Sequence, residues 1–184
     1  MKKIIILVII VMFAWWQFSS PSVDDLQNHG GRLTIGDYRI LPLQDNFAIT
    51  ARVLSRKNYS FGREAELSPM DFALGWGPMA DPEIIAYFDI HQSGRWYRWR
   101  AETLPLPLRT VETHSANMHM VPADQWVADQ LDDVEEGQMI TLQGKLIRAD
   151  AADGWHWVSS LTRNDTGNGA CELVLVEAVT VVGE

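Results

Sequence analysis

A mainly β domain with a few short helices, an α+β arrangement, is the fold class this sequence predicts. Three observations predict it. Residues 47–57, 95–100 and 139–149 alternate from residue to residue as strands do, and 171–182 form an apolar run of strand length. Helical signals are short and sit beside Pro or Gly. The chain has 184 residues, 47% apolar and 21% charged, which suits one domain plus a short appendage.

The elements follow in order. Residues 1–18, MKKIIILVIIVMFAWWQF, place two lysines before an uncharged run from Ile4 to Trp16. This is the layout of a signal peptide or signal anchor. The run is shorter than the ~20 residues of a full span, but it ends in Trp15, Trp16 and Phe18, not in a small-residue cleavage pattern. Tryptophan at the end of an apolar run suits the lipid–water boundary. A retained single-pass transmembrane helix is therefore favoured over a cleaved peptide. Lys2 and Lys3 belong on the cytoplasmic side, which puts the body of the chain in the periplasm or its equivalent, held at the inner membrane. Residues 19–31 are polar, with Pro21 and Gly30-Gly31, and read as a linker. Residues 32–184 read as one globular domain.

Within that domain, residues 32–43 alternate partly and Asp45-Asn46 marks a turn. Phe47, Ile49, Ala51 and Val53 share one face of the next strand. A hairpin or meander is expected. Ser68-Pro69-Met70-Asp71 carries a helix-start signal ended by Gly75 and Gly77, and Asp81-Pro82-Glu83 carries a second. As a strand, RWYRWR puts Arg95, Tyr97 and Trp99 on one face and Trp96, Arg98 and Arg100 on the other. Pro122 opens a helix from Ala123 to about Leu131, with Trp126, Val127, Leu131 and Val134 as its apolar stripe. Asp153-Gly154 is a turn before WHWVSSL, with Trp155 and Trp157 on one face. Thr166–Gly169 is a Gly-rich connection without the Lys-Ser/Thr ending of a phosphate loop.

Charge narrows the partners. The formal net charge is −9, from 15 basic and 24 acidic residues, and two of the basic ones are Lys2 and Lys3. So acidic a domain repels phosphate backbones, so no nucleic-acid partner is expected. The single cysteine, Cys171, permits no internal disulfide and no multi-cysteine metal site.

The candidate chemistry is sparse. His114 and His119 are five apart, about 140° around a helix or on opposite faces of a strand, so they lack the spacing of a helical zinc pair. No metal or other cofactor is expected. With Cys171 they could supply a nucleophile and base. Cys171 opens an apolar strand, however, where a cysteine serves as a small core residue. The candidate binding residues are Trp96, Arg98, Trp99, Arg100 and Asn117. The arginines could hold a carboxylate or phosphate, and the tryptophans could stack on sugars or grip a protein. The more ordinary expectation is that the arginines pair with the acids of residues 124–136 and that most tryptophans sit in the core.

Two resemblances add to this. VEEGQMITLQGKLIRAD (134–150) resembles the strand pattern of small OB-type barrels, which makes such a barrel the candidate architecture. LSPMDFALGWGPMADP (67–82), QSGRWYRWR (92–100) and THSANMHM (113–120) together resemble a recurring segment of uncharacterised bacterial proteins that begin with a single hydrophobic helix. This resemblance implies a bacterial envelope setting and no catalytic assignment. The expectation is a membrane-anchored envelope protein that binds a membrane or envelope partner without catalysis. The alternatives are an envelope hydrolase using His114, His119 and Cys171, and a glycan or peptidoglycan binder using exposed tryptophan and arginine.

Overall fold

The computed structural model describes residues 23–162 and 171–183. The apolar run at 4–18 and the loop at 166–169 lie outside the described residues. Among the described residues, no helix is long and apolar enough to cross a membrane.

The domain is mainly β. Its strands are β1 (Gln27–His29), β2 (Arg32–Ile35), β3 (Tyr38–Asn58), β4 (Met70–Gly75), β5 (Asp89–Ser93), β6 (Trp96–Arg100), β7 (Ser115–Pro122), β8 (Met139–Asp150), β9 (His156–Val158) and β10 (Glu172–Val182). The helices are α1 (Arg63–Leu67), α2 (Pro82–Ile85), α3 (Leu108–Thr113) and α4 (Gln125–Asp132), with a 3-10 turn at Gly77–Ala80. β5 and β6 form a separate two-stranded sheet, and the other eight strands form one sheet.

Pairing in the large sheet runs from β3 to β4, β7, β10 and β8, and β8 pairs again with β3. All of these contacts are antiparallel except β7 with β10. The largest apolar cluster draws on all five strands and on α4. It includes Phe47, Ala51, Val53, Phe72, Leu74, Met118, Met120, Val127, Leu131, Ile140, Leu142, Val174 and Val176. A second cluster packs on the other face of β7, β8 and β10 through Val121, Ile147, Leu173 and Leu175, with Trp155 and Trp157 against it. A third holds Leu54, Ala73, Met79, Phe88 and Val111 against the β5–β6 hairpin. The middle strands are thus covered on both faces, which is why β4 and β10 read as near-continuous apolar runs.

Several expectations meet their structural counterparts directly. Phe47, Ile49, Ala51 and Val53 share the first cluster. Ile140 and Leu142 of β8 point the same way. Asp81 caps α2 by accepting the Glu83 amide at 2.9 Å, whereas α4 starts at Gln125, not at Ala123, because Asp124 is its cap and accepts the Val127 amide at 2.8 Å.

Others are corrected. Asp45-Asn46 is not a hairpin turn. It lies inside β3, where the register against β8 shifts between Gln44 and Phe47 and Asn46 takes φ 58°. β8 pairs with both halves of β3, so the chain bends through a bulge instead of reversing. The reversal comes earlier, between Ile35 and Tyr38. Residues 70–75 are not a helix but β4, with β3 on one side and β7 on the other. Met70, Phe72 and Leu74 face the first cluster, and pairing on both sides outweighs the local Ser-Pro start signal. Trp126 does not join the buried stripe of α4; it is 62% exposed, while Val127, Leu131 and Val134 are buried. The segment read as a linker holds β1 at Gln27–His29, paired with β2.

At Gly144 the backbones of β8 and β10 come too close for a side chain. A Cβ there would collide with the Leu175 carbonyl of β10, so β8 and β10 require glycine at this position.

Candidate functional site

The β5–β6 hairpin is inserted between β4 and β7 in the chain and has two unlike faces. Its turn is Gly94-Arg95, with φ 59° and 67°. Two positive φ values in a two-residue connection define a type I′ hairpin. Glycine suits this conformation, whereas an arginine there costs about 1–2 kcal/mol.

The Arg95 side chain accounts for that strain. Its Nη1 donates to Asp71 Oδ1 at 2.7 Å, and its Nη2 donates to the Ser68 carbonyl at 2.9 Å. The guanidinium lies 3.7 Å over the Tyr59 ring and 5.6 Å over that of Trp157. Asp71 is fully buried. The same Oδ1 meets His119 Nδ1 at 2.9 Å, and its Oδ2 accepts from Asn117 Nδ2 at 3.2 Å. Asn117 also donates to the Arg95 carbonyl at 3.2 Å and accepts from Gln92 Nε2 at 2.6 Å. The Oε1 of Gln92 is buried without a hydrogen-bond partner among the described residues. The His119 ring packs 4.6 Å from that of Trp157. Burial and the nearby Asp71 carboxylate push the Tyr59 phenol above its ordinary range.

This cluster clasps the hairpin tip onto the outer face of β4 and β7. A carboxylate holding an imidazole by Nδ1 is also how catalytic histidines are oriented. Here the guanidinium of Arg95 occupies the same carboxylate oxygen, which neutralises the buried charge and closes the cluster over itself.

The inner face of the hairpin continues the packing. Trp99 meets Phe88 edge-on at 5.3 Å. The Tyr97 hydroxyl donates to Ser115 Oγ at 3.4 Å, and burial pushes its phenol up to about 12. The outer face carries Asp89, His91, Ser93, Trp96, Arg98 and Arg100, all exposed. The register sets His91 across from Arg98, Ser93 across from Trp96, and Asp89 across from Arg100. Arg98 donates to the Ser93 carbonyl at 3.2 Å. Among the described residues neither Arg98 nor Arg100 joins a salt bridge closer than 4.0 Å. The acids of 124–136 are met instead by Arg56, which pairs with Asp132 at 3.2 Å and whose amide donates to Glu136 at 2.9 Å.

The candidate residues therefore separate. Trp96, Arg98 and Arg100 share the solvent face, Trp99 lies on the opposite one, and Asn117 belongs to the buried clasp. His114 stands just before β7, its Nδ1 2.9 Å from the Thr110 carbonyl and its ring 6.4 Å from that of Trp76. His119 lies five residues further along, about 16 Å away in an extended strand, so the two histidines do not share a site. Cys171 is half-exposed and not part of the core. Its carbonyl accepts the Ser160 amide at 3.1 Å, and it precedes the first β10 residue paired with β7. Among the described residues no three His, Cys, Asp or Glu side chains are placed to hold a metal.

Sequence reasoning passed over Asp71 and Arg95 as a pair. Strand alternation puts Asp71 opposite Met70 and Phe72, and only the hairpin packed on that face buries its carboxylate and brings Arg95 to it, so local sequence carried no signal for the pair.

The fold and this hairpin define a mainly β domain that presents a basic and aromatic strand to solvent. No family model, no curated protein and no solved structure matches the chain.

Proposed function

We propose that this protein is a membrane-anchored, non-catalytic binding module of the cell envelope, built on an OB-like barrel, that engages an anionic partner through the outer face of its hairpin. The architecture is supported by the circuit of pairings through β3, β4, β7, β10 and β8. The parallel β7–β10 pair and the packing of α4, between β7 and β8, into the common core support it further. Such barrels are five-stranded and bind ligands on their surface. The anchor is the run at 4–18, with residues 32–184 facing the periplasm.

The observation that carries the binding reading is the row Trp96, Arg98 and Arg100. A guanidinium offers a fork of donors to carboxylate or phosphate, and an adjacent exposed indole adds contact area. Two arginines without a carboxylate partner, in a chain of net charge −9, form a local exception to its acidity. Tethering would raise the effective concentration of this surface for membrane neighbours. The hydrolytic alternative has less support, because its two histidines lie apart.

The test is purification of tagged full-length protein from gently solubilised membranes, beside the Arg98→Glu/Arg100→Glu variant. A component that accompanies the wild type and is lost from the variant supports the proposal. An identical set on both proteins, or none, counts against it.

The exposed indole favours a second reading, a glycan ligand. Quenching of tryptophan fluorescence by peptidoglycan fragments, lost in Trp96→Ala, would single it out.

A further inference from the structure

We propose that the surface around Val23, flanked by Phe61 and Trp126, rests on the lipid–water boundary of a bilayer. This inference depends on residues 4–18 being a membrane anchor and adds how the domain is oriented on it. Three hydrogen bonds fix where the chain enters the domain. The Val23 amide donates to Gln125 Oε1 at 3.0 Å, the Gln125 amide donates to Asp25 Oδ1 at 3.2 Å, and the Leu26 amide donates to the Ala123 carbonyl at 2.7 Å. The entry point is thereby pinned to the start of α4 and cannot swing freely.

Two large exposed aromatic side chains belong to the segments that meet at this point, the loop before α1 and the start of α4. Phe61 is 95% exposed and Trp126, next to Gln125, is 62% exposed. Phe61 and Val23 line one open cavity of about 360 Å³ with Tyr59, Ala65 and Pro69. An exposed phenylalanine in the loop leading into α1 contributes nothing to the core, and aromatic rings of this kind settle at bilayer interfaces.

The tether is short. From Phe18 to Val23 the chain spans at most about 17 Å, while the headgroup layer on each side of a bilayer is roughly 6–7 Å thick. A domain pinned at Val23 therefore holds its Val23 face close to the headgroups. Asp24 and Asp25 follow Val23, Asp129 is bonded to Gln125, and Glu66 lines the cavity shared by Val23 and Phe61; all four are exposed. Those carboxylates oppose an anionic surface, so the contact is apolar and favours zwitterionic lipid.

The experiment uses the full chain in a Cys171→Ser background, reconstituted into phosphatidylcholine vesicles. An environment-sensitive fluorophore is attached in turn at Phe61→Cys, Trp126→Cys and Thr103→Cys. Thr103 lies beyond the hairpin end remote from its tip. Circular dichroism confirms that each variant folds. A blue shift and quenching by headgroup-labelled nitroxide lipid are expected at 61 and 126 but not at 103, and both should weaken when phosphatidylglycerol is added. Emission at 61 and 126 as water-like as at 103 overturns the proposal and leaves the anchor reading intact. A blue shift that requires an added membrane protein assigns the face to a protein partner and also overturns it. Failure of the unlabelled chain to partition into vesicles removes the anchor reading, and this inference with it.

Discussion

The two faces of the β5–β6 hairpin are made from the same kinds of residue and have opposite fates. Arg95 and Trp99 are directed into the protein, one against a buried carboxylate and the other against Phe88. Arg98 and Trp96 are directed into water. The comparison teaches that residue type does not decide role here. An arginine with a buried acid beside it is a structural clasp, whereas Arg98 bonds only the Ser93 carbonyl of its own hairpin and keeps its guanidinium on the solvent face.

The largest effect should come from breaking the clasp. Asp71→Ala leaves the Arg95 guanidinium without its buried counter-charge, and a loss of about 3–5 kcal/mol is expected in chemical denaturation. A loss below 1 kcal/mol would mean that the cluster opens to water and does not hold the hairpin. The tryptophans sharpen the contrast next. Trp99→Ala should cost on the order of 2 kcal/mol through lost packing, whereas Trp96→Ala should stay within about 0.5 kcal/mol of wild type. Equal effects in thermal melts would erase the distinction between the faces.

Alkaline pH probes the inner face through Tyr97. The folded-state pKa of Tyr97, about 12, lies above the ordinary phenol value of 10.0. In that window the folded state holds a proton that the unfolded state has lost. The stabilising contribution is therefore complete below pH 10 and disappears as the pH rises toward 12. Tyr38 and Tyr59 are shifted the same way. Denaturation midpoints should fall between pH 10 and 12, and Tyr97→Phe should make that fall shallower. An unchanged slope would show that Tyr97 ionises as freely as an exposed phenol. The smallest effect on stability belongs to Arg98→Glu/Arg100→Glu. It should leave the midpoint within about 0.5 kcal/mol of wild type and, under the proposed function, abolish capture of an anionic partner. A marked destabilisation would place these arginines in the structural group.

Part of this was legible in the chain. Period-two alternation placed Trp96, Arg98 and Arg100 together and opposite Tyr97 and Trp99, because successive strand residues must point to opposite faces. Which face would be covered was not legible, because covering it depends on β4 and β7, far away in sequence. The surroundings of Asn117, a binding candidate, were hidden for the same reason. Its side chain is polar and its neighbours along the chain are ordinary, but its true neighbours are Asp71, Gln92 and Arg95.

The sequence by itself determined the mainly β class, the inward face of β3, the alternation of β8, the start of α2, and the two-sided character of RWYRWR. These follow from short-range rules, namely strand periodicity and the side-chain chemistry of helix starts. Only the tertiary structure decided that residues 70–75 form a strand, that Asp45-Asn46 bends β3 without reversing it, that Trp126 stands in solvent, and that Arg95 serves Asp71. Each of those outcomes depends on pairing or burial between segments remote in the chain, where contact energy outweighs local propensity.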